Sequence, residues 1–157
     1  MNKTNAMRLL DAANINYEIT EYEYDEKDLS GLHAADYLGL FYYEVFKTLV
    51  CIGNDKEHYV FCLPVDMELD LKKAAKIANV KGIEMIKMKE LLPLTGYMRG
   101  GCSPIGMKKQ FKTYIDETAI LIDKIYISGG KRGVQIKIEP NSLNKYLGNT
   151  EFHDICK

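Results

Sequence analysis

Apolar and polar residues recur along this chain with two different periods, and the switches between them mark out short elements. From Thr4 to Ala13, the residues Met7, Leu9, Leu10 and Ala13 fall at roughly helical spacing, and Thr4 stands where an N-cap hydroxyl would accept an unpaired amide. Tyr17–Tyr22 instead alternates with period two, which predicts a half-buried strand. His33–Leu40 reads as a short helix with Gly39 near its end. Lys47–Gly53 (KTLVCIG) and His58–Leu63 (HYVFCL) are apolar runs separated by an Asn54-Asp55 turn, a pattern that predicts a hairpin. Asp70–Ala78 has the pattern of an amphipathic helix capped by Asp70. Met85–Leu92 reads as a short strand running into another helix, and Pro93–Gly106, rich in Gly and Pro, as a loop. Thr113–Ile115 predicts a strand entering Asp116. Lys124–Ser128 and Gly133–Glu139 predict paired strands, and Pro140–Leu147 a last helix, bounded by Pro140 and Gly148.

Strands and helices mix here without βαβ repetition. The expected fold class is therefore α+β, with a compact mixed sheet or open barrel, in one domain spanning residues 1–157. A chain of 157 residues can bury a real core without disulfides. The apolar share of 46% and charged share of 27% are those of an ordinary globular protein. A formal net charge of -1 excludes a global attraction to nucleic acid, so any RNA contact must come from local basic clusters. No stretch has the length of a membrane span, and the N-terminus lacks the apolar core of a signal peptide. Cys51, Cys62, Cys102 and Cys156 form no C-x-x-C pair, which points to reduced thiols in a cytoplasmic protein rather than a disulfide framework or zinc site.

Gly96–Lys109 (GYMRGGCSPIGMKK) at first suggests a phosphate loop, because Gly101 and Gly106 have P-loop spacing. Met107, however, holds the lysine position, and no Ser or Thr follows Lys108 to bind magnesium, which excludes a nucleotide triphosphatase of that class. What remains is Gly100-Gly101-Cys102-Ser103-Pro104. It is either a tight connector or a loop that aims backbone amides at an oxyanion or carbonyl. Cys102 and Ser103 are tempting nucleophiles, but neither has an evident base, since His33, His58 and His153 lie in unrelated contexts. Lys47 heads a buried-strand run, with Thr48 beside it. It can snorkel to the surface or reach into a cleft and hold a phosphate. Ser128-Gly129-Gly130-Lys131-Arg132-Gly133 is either a solvated hairpin turn or a backbone-plus-cation site for RNA phosphate. Lys108, Lys109 and Lys112 could join it on one face. Eleven tyrosines and five phenylalanines offer stacking partners for bases, although most suit a core or rim.

Several segments together resemble the YbaK/EbsC family of Cys-tRNA(Pro) deacylases. They are FKTLV at 46–50, LDLKKAAK at 69–76, TGYMRGGCSPIGMKK at 95–109, YID at 114–116 and YISGGKRG at 126–133, in the family's order and over essentially the whole chain. The resemblance implies a mixed β-barrel-like sheet surrounded by helices, the fold of the prolyl-tRNA synthetase editing domain. It implies cleavage of the ester between a wrong amino acid and tRNA, with cysteine on tRNA(Pro) preferred, and prolyl-tRNA synthetase as a further partner. An apolar pocket separates side chains of similar size poorly, so a separate editing site makes physical sense. The resemblance also implies no metal, no cofactor and no protein nucleophile: the substrate's own thiol attacks its ester and leaves a cyclic thiolactone. By family position, Lys47 would orient the ester or hold the terminal adenosine, and Gly101 N–H would lie near the carbonyl. Tyr22, Gly100, Cys102, Ser103, Pro104, Ser128, Gly129 and Arg132 would line the same cleft, and Thr48, from its place beside Lys47, is either a core β-branched residue or a polar part of the cleft wall. Gln135 departs from an acidic residue often found there. The competing expectations are a non-catalytic tRNA- or synthetase-binding module and a deacylase for Ala- or Ser-tRNA.

Overall fold

A computed structural model describes residues 2–157. Among them, seven strands form two sheets. One has the order β1-β7-β6 and the other β4-β2-β3-β5. The first is antiparallel throughout: β1 (Glu18–Glu21) and β6 (Ile125–Ser128) flank β7 (Val134–Ile138). The second is built on the predicted hairpin, β2 (Phe46–Gly53) with β3 (His58–Pro64), registered Lys47 to Leu63 and Val50 to Val60. On its outer edges, β4 (Ile83–Met85) pairs antiparallel with β2, and β5 (Lys112–Ile115) pairs parallel with β3.

The two sheets meet where Val45 bridges Tyr126 and β2 packs along β6. The expected α+β fold, a mixed sheet flanked by helices, is thus present, and of the two forms expected it is the open one: the sheet is not closed, because an isolated bridge stands at this seam in place of a ladder. One core fills the space between the first sheet, α1 (Asn5–Ala12) and α5 (Pro140–Tyr146), with Met7, Leu10, Ile127, Ile136 and Leu143 fully buried. A second lies between the other sheet and α3 (Leu71–Ala78), around Phe61, Leu63 and Ala74.

Caps set most helix ends as the sequence implies. Thr4 Oγ1 accepts the Met7 amide, and Asp70 accepts those of Lys72 and Lys73. α2 (Gly31–Leu38) ends at Gly39 in the left-handed region. One boundary differs. A 3₁₀ turn at Met88–Glu90 leads into α4 (Leu91–Thr95), so helix continues through Pro93, where a loop was expected. Pro93 is tolerated because the amide it lacks belongs to the first turn, where no helical acceptor exists.

The C-terminal residues are stitched to the second sheet by buried Asp116. Its carboxylate accepts the Ile155 amide on one oxygen, and the Thr118 amide and hydroxyl on the other.

Candidate active site

A cleft of about 500 Å³ opens at the seam between the sheets. Its floor is Val45 and the Phe46–Val50 stretch of β2, joined by Ser128 on β6 and Gln135 on β7. One wall carries Tyr22 and the start of α2, and the other runs from Met85 to Leu91 and on to Arg99, Gly100 and Cys102. The walls meet where Gly100 lies against Leu29: a Cβ there would come within 3.1 Å of the Leu29 side chain, and Gly100 has φ +85°.

Lys47 reaches the cleft because the register of β2 places it opposite Leu63, next to the seam. Its ammonium has one long hydrogen bond, donated to Val65 O at 3.5 Å. Partial burial pushes its pKa below the ordinary lysine value of 10.5, against weaker opposing effects from Cys156, Glu68 and Asp66. The side chain is thus a partly desolvated cation with donor capacity to spare. Thr48 stands beside it, its hydroxyl 3.8 Å from Cys62 Sγ. Ser128 Oγ accepts the Gly130 amide and still has its own proton to donate. Gln135 is 5% exposed, and its Oε1 is a buried acceptor with no hydrogen-bond partner among the described residues. An acceptor left so costs stability unless a bound molecule supplies a donor.

The Gly-rich loop is held mostly by its own backbone and by the neighbouring turn. Tyr97 OH donates to Ile105 O, Ser103 Oγ accepts the Ile105 amide, and Arg132 Nε donates to Arg99 O at 2.8 Å. Gly101 N–H donates to Met98 O at 2.9 Å. A Cβ on Gly101 would sit 3.0 Å from three backbone atoms of Lys131 and Arg132. The Gly101 amide, expected near a substrate carbonyl, is thus committed to Met98 O in this structure, and the absent side chain serves close packing of two loops. Ser103 and Pro104 are likewise buried within the loop and do not line the cleft. Gly129 gives its carbonyl to Thr4 Oγ1 at 2.6 Å, and Arg132 braces Arg99 from outside the lining.

Of the residues expected at the site, the structure brings together Tyr22, Lys47, Thr48, Gly100, Cys102 and Ser128. Lys87 and Arg99 also line the cleft, without a motif that marks them. Gln135 stands out in the sequence only as a departure from the family pattern. Nothing in the sequence signals an orphaned acceptor, because Gln135 occupies an ordinary strand position.

The cleft offers little for protein-based covalent catalysis. Burial pushes the Cys102 thiol up to about 12, so it stays protonated near neutral pH. No histidine lines the cleft. His33 Nε2 lies 2.9 Å from Glu23 O, while His58 and His153 pack against Phe111 and Tyr114. Among the described residues, no three His, Cys, Asp or Glu side chains gather as a metal site would require. Among the same residues, no helix is long and apolar enough to cross a membrane.

The family model for the aminoacyl-tRNA editing domain matches residues 32–146. The chain belongs to that family. The match spans the cleft floor, the Gly-rich loop and the Ser128–Gly133 turn, and leaves Tyr22 outside. This editing domain is also 45% identical over 153 residues to EbsC of Enterococcus faecalis, covering 98% of the chain and 93% of the relative. EbsC is named, provisionally, as a Cys-tRNA(Pro)/Cys-tRNA(Cys) deacylase. The editing domain superposes on the solved structure of the hypothetical protein APE2540 with a TM-score of 0.87 at 21% identity, over 96% of this chain and 98% of that one. It matches a candidate trans-editing enzyme for prolyl tRNA synthetase with a TM-score of 0.82 at 22% identity, over 100% and 99% of the two chains. Both likenesses establish the shared fold.

Proposed function

We propose that this protein cleaves mischarged aminoacyl-tRNA in the cytoplasm, with cysteine on tRNA(Pro) as its preferred substrate, acting in trans to prolyl-tRNA synthetase. The whole chain, residues 1–157, serves as one editing unit. The observation that carries the reading is the composition of the cleft: a partly desolvated lysine beside hydroxyls and an amide, with a protonated cysteine and no histidine. A site without its own nucleophile or base favours a substrate that brings one. Four free cysteines also suit a reducing compartment.

The chemistry then divides as follows. The substrate thiol gives up its proton to solvent water and, as thiolate, attacks the ester carbonyl. A carbon–sulfur bond forms, the carbon–oxygen bond to the tRNA ribose breaks, and the ribose oxygen takes a proton. The cyclic thiolactone released is hydrolysed by water. Lys47 holds the ester or the adjoining phosphate and stabilises charge developing on oxygen. Ser128 and Gln135 supply a donor and an acceptor for the aminoacyl group and ribose, and Tyr22 and Cys102 shape the wall.

The test is a deacylation panel: Cys-, Ser-, Ala- and Pro-tRNA(Pro), with Cys-tRNA(Cys) alongside. Cysteine is expected to be released far faster than serine, which has the same shape but lacks the thiol. Equal rates for the two would overturn the thiol mechanism, and release of none would overturn the assignment to ester cleavage.

A further inference from the structure

We propose that the ridge carrying Lys87, Lys89, Arg99 and Lys108 is the track along which the single-stranded 3′ end of the tRNA leaves the cleft. This rests on the function proposed above and adds the surface that grips the RNA. All four side chains are exposed. Lys87 and Arg99 line the cleft mouth, so the ridge is continuous with the site. Lys108 Nζ donates to Pro93 O at 3.3 Å, which holds it on the α4 side of the ridge. Arg132, braced on Arg99 O at 2.8 Å, extends the cluster, with exposed Lys131 next to it. None of these six cations forms an ion pair among the described residues. The nearby acids are Glu84 on β4 and Glu90, whose Oε1 is occupied in accepting the Lys87 amide.

In a chain of net charge -1, a run of unpaired cations beside a cleft is a local feature that matches a polyanion. Exposed Met88, Leu92 and Met98 lie among the cations and offer apolar surface to riboses and bases. The other wall has the opposite character. Glu21, Glu23, Asp25, Glu26 and Asp28 are exposed there against the single Lys27, and phosphates would be repelled. An aminoacyl ester held over Lys47 must let its RNA run out across one rim, and only the 87–108 side is cationic.

The experiment compares Cys-tRNA(Pro) with 3′-O-cysteinyl-adenosine, which has the ester but no chain of phosphates. The double variant Lys89→Gln/Lys108→Gln changes two side chains outside the cleft lining. It is expected to lower kcat/KM for the tRNA about tenfold at low salt, and to flatten its log–log salt dependence by about 0.7 per lysine. Cleavage of the small ester is expected to stay at the wild-type rate. Glu23→Gln/Glu26→Gln should not lower tRNA cleavage. The proposal is overturned by an unchanged salt slope, by equal losses on both substrates, or by an equal loss in the acidic-wall variant. Should the wild type cleave neither ester, the functional reading fails. The ridge is then judged by anisotropy with uncharged tRNA: the same weakening and flattening in the lysine variant uphold it, and unchanged binding overturns it.

Discussion

Replacing Lys47 with Met separates what this side chain does for chemistry from what it does to the fold. Methionine is unbranched and close in volume to the lysine stem, so it leaves no large cavity beside Val65. What disappears is a charge that burial has made unfavourable, and the single 3.5 Å bond to Val65 O is too long to offset that. The variant should therefore be as stable as the wild type or more so at neutral pH, by up to about 1 kcal/mol, a rise in Tm of about 2–4 °C for a domain of this size. The sign of the pH dependence follows from the depressed pKa. Between the folded-state value and 10.5, the unfolded wild type binds more protons than the folded one, so wild-type stability rises with pH through that window. The advantage of the variant is thus fully present below the folded pKa of Lys47 and fades above it. Catalysis should move the other way. Removing one preorganised donor to developing negative charge costs about 10²–10³ in kcat, so Lys47→Met should lose nearly all cysteine release. Thermal melts at several pH values and single-turnover deacylation measure both. Loss of activity together with a fall in Tm of many degrees would show Lys47 to be structural, and retained activity would remove it from the mechanism.

The Gly-rich loop yields a contrast. Gly101→Val must push the Lys131–Arg132 backbone away from a contact already at 3.0 Å, and should cost about 1–3 kcal/mol in urea titration and most of the activity. Cys102→Ala, whose thiol is protonated, should keep activity within a few-fold; a catalytically dead Cys102→Ala would restore a protein nucleophile. Gln135→Leu should hold or raise stability, since it removes the orphaned acceptor, yet raise KM for Cys-tRNA(Pro), and an unchanged KM would leave Gln135 without a substrate role. Asp116→Ala strands the Ile155 and Thr118 donors and should destabilise by about 2–4 kcal/mol, with hydrogen exchange rising first in residues 153–157.

Local features of the fold were legible because they depend on neighbours in sequence. Thr4 and Asp70 cap their helices through amides two or three residues away, and the β2–β3 hairpin follows from two apolar runs around a short turn. What the sequence hid depends on partners far along the chain. Gly101 must be small because Lys131 passes it 30 positions later, and nothing in GYMRGGCSP distinguishes that from an amide aimed at a ligand. Whether the sheet closes depends on the Val45–Tyr126 seam, which joins residues some 80 positions apart. The family resemblance points to Lys47 and Ser128, and both line the cleft with Thr48, but Lys87 lies in a run that reads as a strand entering a helix, and Arg99, although inside the Gly-rich segment, has no neighbour in sequence that marks it as a cleft residue.

The commitment of the loop amide bears on how such a site can discriminate. With Gly101 N–H turned to Met98, the most obvious backbone oxyanion donor is spent on holding the loop, and the proposed mechanism sets Lys47 at the ester, with Lys87 and Arg99 further out at the cleft mouth. A single cation stabilises the ester of any amino acid alike, so it cannot by itself choose cysteine over serine or alanine. Steric fit adds little, because a cleft of about 500 Å³ admits all three. In the proposed mechanism the choice therefore falls to reactivity: only a side chain that can become a thiolate attacks its own carbonyl at a useful rate. A Ser-for-Cys exchange in the substrate should then reduce kcat much more than it raises KM, whereas recognition by fit would put the difference in KM.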